Sequence, residues 1–269
     1  MADLQVGSVL VTGSNRGIGL ELVKKFLESP VPPDWVFATC RDPEGPKAQE
    51  LKALASEHSN LMVLQLDVTN HSSILEAAKK VESKLDGSGL NLVINNAAMM
   101  HRTMLHDSTR EDLMESYDNN VIGPLLVSQV FLPLLKKAAQ GNPAAALSCK
   151  KAAVINISAV LGSIELVPEL LDFCPVIPYR LSKIWGIQSS SLCSRHWISS
   201  REQQCLCFTC LCCFKSCTLF LDCCVPLPHL RLLTVAFQTA TKHYSTHNKR
   251  SCHNVDLPTS ALWDEWVLV

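Results

Sequence analysis

The chain has 269 residues, 47% of them hydrophobic and 18% charged, enough to bury one large α/β core or one such core with an appendage. With 24 basic and 25 acidic residues the net charge is −1, which gives no electrostatic reason to expect nucleic acid or an anionic membrane surface as a partner. The opening MADLQVGSVLVTG lacks a basic stretch followed by an apolar run, and no uninterrupted apolar run reaches the ~18 residues of a spanning helix. A cytoplasmic protein with no membrane partner is expected.

Residues 8–12, SVLVT, are a short apolar, β-branched run that stops at Gly13 and predict a buried parallel strand. In the following GSNRGIGLELVKKFLES, Ile18, Leu22, Val23 and Phe26 recur at helical spacing. Next come a strand at WVFATC, a helix over 46–57, a strand at LMVLQLDV and a helix over 71–86. A strand at NLVINNAA precedes a long helical region from about 108 to 138. The strand AAVINIS at 152–158 is followed by an irregular loop and by a helix starting near Pro178. Strand–helix alternation of this kind predicts a Rossmann-type doubly wound parallel sheet. The rhythm stops near residue 192, which divides the chain into a doubly wound domain at 1–192 and an atypical cysteine-rich tail at 193–269. The sheet is therefore expected to be incomplete at its C-terminal strands.

TGSNRGIG places Gly13, Gly17 and Gly19 between the first strand and its helix, with Asn15, Arg16 and Ile18 in the same loop. Glycines there allow a tight turn and let backbone N–H groups at a helix start approach a pyrophosphate. The second strand ends in Cys40 and Arg41, where an acidic residue would accept the ribose 2′-OH of NAD. Arg41 with Arg16 suits a 2′-phosphate instead, so NADP(H) is the expected cofactor. Asp67 and Val68 close the third strand, and Asn95, Asn96 and Ala97 close the fourth, where an adenosine would rest. Asp67 and Asn95 also suit turn and helix capping, and the residues alone leave both readings open.

TGSNRGIG, LDVT, NNAA, NNVIGP, VINIS and YRLSK occur in the order and spacing of the short-chain dehydrogenase/reductase superfamily, which the chain resembles over residues 7 to about 190. The loop LGSIELVPE resembles that of sniffer-like, NADPH-dependent carbonyl reductases. The resemblance implies hydride transfer from NADPH to a small carbonyl substrate. Tyr179 would be the proton donor, Lys183 would lower its pKa and hold the nicotinamide ribose, and Asn120 would organise a water relay to the lysine. Physically, a phenol is a poor acid at neutral pH, and an ammonium at i+4 on the same helix face favours its ionised form.

One position departs from the pattern. The family's fifth strand ends in two serines, the second of which polarises the substrate carbonyl. Here that place is Ala159, with Ser158 one step earlier. Side chains alternate faces along a strand, so Ser158 could serve only if the strand end twists or bulges. Ser163 is more distant.

Ten of the 13 cysteines lie between Cys193 and Cys252. Three readings compete for this tail: a replaced C-terminus, a metal site from Cys205, Cys207, Cys210, Cys212, Cys213 and Cys217, and an S-acylated or membrane-associating patch. The C-x-C and CC spacings do not give the two separated pairs of a tetrahedral zinc site, so no metal is expected. Lys215 and Asp222 interrupt the apolar run. Two functions remain: an active carbonyl reductase, or an impaired form that retains partial dinucleotide binding. A homo-oligomer through the helices at 108–138 and 178–190 stays open.

Overall fold

The computed structural model describes residues 6–141, 149–164, 167–171, 174, 176–186, 206–212 and 218–220. Five strands follow the expected positions: β1 (Ser8–Thr12), β2 (Trp35–Cys40), β3 (Leu61–Gln65), β4 (Leu92–Asn95) and β5 (Ala153–Ala159). Between them run α1 (Gly17–Leu27), α2 (Gln49–Glu57), α3 (His71–Leu85), α4 (Arg110–Tyr117) and α5 (Gly123–Gly141). A short α6 (Val167–Leu170) precedes α7, described over 177–186.

The strand order is β3-β2-β1-β4-β5-β6-β7, and every pair from β3 to β6 is parallel. Period-two alternation in strands covered on both faces yields two apolar layers. On one face Val9, Val11, Val36, Ala38, Ile94 and Ile155 meet Leu22, Val23 and Phe26 of α1 and Leu51 of α2. On the other, Leu10, Phe37, Val93 and Val154 meet Ile74 and Val81 of α3 and Val127, Phe131 and Leu135 of α5. Chain order reverses between β1 and β4, and open α/β sheets bind their ligands in the crevice beyond that switch point.

Two differences from the sequence expectations matter. The helical region expected from about 108 to 138 runs as α4 and α5 joined by a π-helical turn, Asp118–Ile122, which holds Asn120. The whole run, Arg110–Gly141, has the length and apolar content to cross a membrane, but α5 spends its apolar face on the sheet. The tail, read as ending the strand–helix rhythm, in fact supplies β6 (Leu206–Cys212), parallel to β5. LCFTCLC has no charge and no alternation, the form a fully buried parallel strand takes and the one periodicity cannot separate from other apolar segments. Among the described residues the sheet closes with β7 (Thr218–Phe220), which has three residues and runs antiparallel. The side chains of the cysteine cluster, and with them the metal and acylation readings, lie outside the described residues.

Candidate active site

The glycine loop is fixed from three sides. Gly13 has φ +67°, which disfavours any side chain, and a Cβ there would stand 2.8 Å from Ala97 Cα. Thr12 Oγ1 accepts hydrogen bonds from the amides of Asn96 (3.1 Å) and Ala97 (3.0 Å). Asn96 Nδ2 in turn donates to the carbonyls of Thr12 (3.0 Å) and Gly13 (3.1 Å). The Ser14 amide donates to Thr39 O (2.9 Å), tying the loop to the end of β2. The first residue of α1 has no side-chain cap, so its amides keep their capacity for an anion. Gly19 packs so closely that a Cβ would meet Gly13 O and lie 2.6 Å from Asn96 Nδ2. Gly19→Ala is therefore expected to cost about 1–3 kcal/mol of stability and to weaken dinucleotide binding, read by thermal melts and titration.

Asn15 is half-buried, and Ile18 is buried in the first apolar layer. Arg16 and Arg41 are exposed, and neither forms an ion pair among the described residues. They follow the paired ends of β1 and β2, where Thr12 registers with Thr39. Asp67 Oδ1 accepts from the Thr69 amide (2.9 Å) and hydroxyl (2.8 Å), a turn-forming role. Val68 is buried, with Gly123 close against its side chain. Asn95 is 3% exposed and binds Asn156 Oδ1 (2.7 Å), Ser128 Oγ (3.1 Å) and Pro124 O (3.3 Å). The asparagines of NNAA thus brace the crevice from behind.

Pro178 stands in the first turn of α7, where its fixed φ and missing N–H cost nothing. Tyr179 is fully buried against Ala159, Leu161 and Val176, with Ala98, Met100 and Cys174 around it. Lys183, one turn on, donates from Nζ to Ile157 O (2.9 Å) and lies 5.1 Å from the centre of the Tyr179 ring. Asn120 is held through both side-chain atoms: Oδ1 accepts from the Met99 amide (2.8 Å), and Nδ2 donates to Met99 O (2.8 Å) and Ser182 Oγ (2.9 Å). The Ser182 hydroxyl donates to Tyr179 O (2.7 Å). The fold therefore gathers Asn120, Tyr179 and Lys183, expected from the sequence, and adds Ser182 and Thr12, which were not. Both additions are hydroxyls inside the quoted motifs, and the partners that give them their roles, Asn96 and Ala97 for Thr12 and Asn120 for Ser182, are distant in sequence.

Ser158 corrects an expectation. β5 pairs with β6 residue for residue through Ser158↔Leu211 and Ala159↔Cys212, so no bulge rotates the strand end. Ala159 packs on Tyr179, while strand alternation turns Ser158, 3% exposed, to the opposite face, its Oγ without a hydrogen-bond partner among the described residues. Ser158→Ala is expected to leave turnover within about twofold, because its hydroxyl does not share the tyrosine's face.

A glycine-looped Rossmann crevice beside a buried Tyr-x-x-x-Lys pair defines a nicotinamide-dinucleotide oxidoreductase fold. A family model, short chain dehydrogenase, matches residues 7–167, and the chain belongs to that family. An NADPH-bound carbonyl reductase from chicken fatty liver is 49% identical, covers 78% of this chain and 76% of its own, and superposes with a TM-score of 0.74. The carbonyl reductase Sniffer of D. melanogaster is 32% identical over 78% of this chain and 82% of its own, with a TM-score of 0.72. Among curated proteins, the short chain dehydrogenase gsfK of Penicillium aethiopicum is 34% identical over 178 residues, 65% of this chain and 64% of that protein. The chain thus spans less than two thirds of that relative's length.

Proposed function

We propose that the chain is an NADPH-dependent carbonyl reductase that transfers hydride to a small aldehyde, ketone or quinone. The observation that carries this reading is the Tyr179–Lys183 pair, buried at the C-terminal edge of β5 and adjoining the switch-point crevice. The chicken and fly neighbours, both carbonyl reductases by name, support it.

The residues fit the cofactor. The α1 amides and the tight Gly13–Gly19 approach would hold the pyrophosphate, and Asp67 and Val68 would border the adenine. Arg16 and Arg41, exposed and without carboxylate partners among the described residues, would take the 2′-phosphate. When bound, the dinucleotide supplies the hydride. The chain's own work is at oxygen: Tyr179 Oη gives a proton to the developing alkoxide, and the Lys183 ammonium stabilises the phenolate left behind. Asn120, clamped to Met99 and Ser182, fixes the π-helical turn and the start of α7 to one another, so the proton path keeps its geometry.

Replacing Arg16 or Arg41 by Ala is expected to weaken NADPH binding about tenfold each, a figure discounted for their exposure, and to leave NADH binding unchanged. Titrations with both dinucleotides check it, and equal losses for the two would contradict the 2′-phosphate assignment. A second reading has its own observation. Ala159 stands where the hydroxyl facing Tyr179 would be, which favours a chain that holds the dinucleotide and turns over slowly. Measuring binding and turnover on one preparation separates the two.

A further inference from the structure

The chain leaving β4 is fastened on either side of His101, a residue outside every recognised motif. Before it, the Met99 amide donates to Asn120 Oδ1 and the Met99 carbonyl accepts from Asn120 Nδ2, both at 2.8 Å. Beyond it, Thr103 O accepts from the Ile177 amide at the start of α7 (3.2 Å). His101 itself reaches α4 through both ring nitrogens: Nε2 stands 3.0 Å from Glu115 Oε2, and Nδ1 stands 3.3 Å from Asp112 Oδ1. A neutral imidazole donates from one nitrogen and an imidazolium from both, so one bond at least stands in either charge state. The Asp112 carboxylate is oriented in advance. Its Oδ2 accepts from the Thr109 amide (3.1 Å), and the Asp112 amide donates to Thr109 Oγ1 (3.1 Å), which makes the capping box of α4. The Thr109 amide is the largest influence holding the Asp112 carboxyl below its usual range, and the field of His101 acts in the same direction.

Side chains along this strip alternate in what they meet. Ala98 and Met100 pack on the cluster of Ala159, Leu161, Val176 and Tyr179. Met99 Sδ accepts from Asn119 Nδ2 of the π-helical turn (3.9 Å), and His101 meets α4. Met100 therefore sits on the tyrosine with Asn120 fixing the residue before it and His101 the residue after it. Resting on the carbonyl reductase reading, we propose that His101 is a positioning residue for the carbonyl substrate: by fastening the strip to α4 it holds Met100 against the Tyr179 cluster and so sets the room beside the tyrosine. Asp112 is 20% exposed and Glu115 57%, so the Asp112 bond is the less screened of the two and carries most of the hold.

His101→Ala removes both bonds, whereas His101→Asn keeps a donor at the place of Nδ1 and with it the bond to Asp112. In His101→Ala the KM for carbonyl substrates is expected to rise about three- to tenfold, with kcat and NADPH affinity within about twofold of the native chain. His101→Asn should recover most of that loss. An unchanged KM would overturn the proposal, and so would a fall in kcat, NADPH affinity and thermal midpoint together, which is the mark of a merely structural residue. A readout without substrate separates this inference from the reductase reading. In chain labelled with methyl-13C methionine, the Met100 resonance, assigned through Met100→Leu, should be displaced by the neighbouring Tyr179 ring. His101→Ala should move it towards the position of a free methionine, and His101→Asn should move it back. That response in a chain without turnover would sink the reductase reading and leave the hold of His101 on Met100 standing. A resonance that stays in place in His101→Ala would overturn the hold itself.

Discussion

Tyr179→Phe is expected to lower carbonyl-dependent NADPH oxidation about 10²–10⁴-fold, the usual contribution of a positioned general acid. Phe keeps the ring that Ala159, Leu161 and Val176 enclose, so the fold and the thermal midpoint should hold. NADPH binding should change by no more than about threefold, because the residues proposed to hold the pyrophosphate and 2′-phosphate, in the glycine loop and at Arg41, lie on other elements than Tyr179. Steady-state rates from the nicotinamide absorbance, with a panel of aldehydes, ketones and quinones, provide the measurement. Turnover by the Phe variant equal to that of the native chain would remove Tyr179 from the chemistry.

Ala159→Ser should act in the opposite direction. An alkoxide forming beside Tyr179 meets one donor where a serine hydroxyl would give a second, and loss of such a donor costs about 10²–10³ in rate. Restoring it is expected to raise kcat by about that factor with little change in NADPH affinity. The substitution adds one oxygen at a position 2% exposed and packed against the tyrosine. Ser158→Ala provides the paired control, since its hydroxyl lies on the other face of β5. A gain from Ala159→Ser with no loss from Ser158→Ala would establish that the strand register, rather than the presence of a serine, limits this chain. No gain would mean that the substrate oxygen is not presented to Ala159.

The two variants probe different steps, and their effects should separate in kinetics. Tyr179→Phe removes the proton, so the rate should lose its dependence on that ionisation. Ala159→Ser leaves the proton source in place and lowers the barrier for charge developing on oxygen. Because both residues belong to one packed cluster, the double variant need not be additive.

The first five strands were legible as short apolar runs alternating with helical periodicity, and β1 and β4 are also closed by turn residues, Gly13 after Thr12 and Asn96 after Asn95. Helix periodicity then set their spacing, and chain reversal at β1/β4 placed the crevice. β6 was not legible, since LCFTCLC carries neither alternation nor a flanking glycine, and only its register with β5 reveals it as a strand. Within the site, the glycine loop could be read from its place between a strand and a helix, and Tyr-x-x-x-Lys through the ordered set of motifs that carries the family resemblance. The division of labour among Asp67, Asn95 and Asn96 could not be, because an Asx side chain serves a turn or a ligand equally well until its neighbours are known. Here those neighbours are Thr69 for Asp67, Asn156 and Ser128 for Asn95, and Thr12 and Gly13 for Asn96. Thr12 and Ser182 escaped notice for the same reason: a hydroxyl's role is set by partners that tertiary structure brings to it. Ser158 was the reverse case. The one-residue offset from the family pattern was visible in the sequence, but only the unbroken pairing with β6 shows that nothing compensates for it.

The proposed cofactor is NADPH, and calorimetric titration of the native chain with NADPH and with NADH tests that proposal most directly. One saturable site per chain is predicted, with NADPH bound at least about tenfold more tightly than NADH through the two arginines. Absence of saturable binding, or equal affinity for the two dinucleotides, would contradict it.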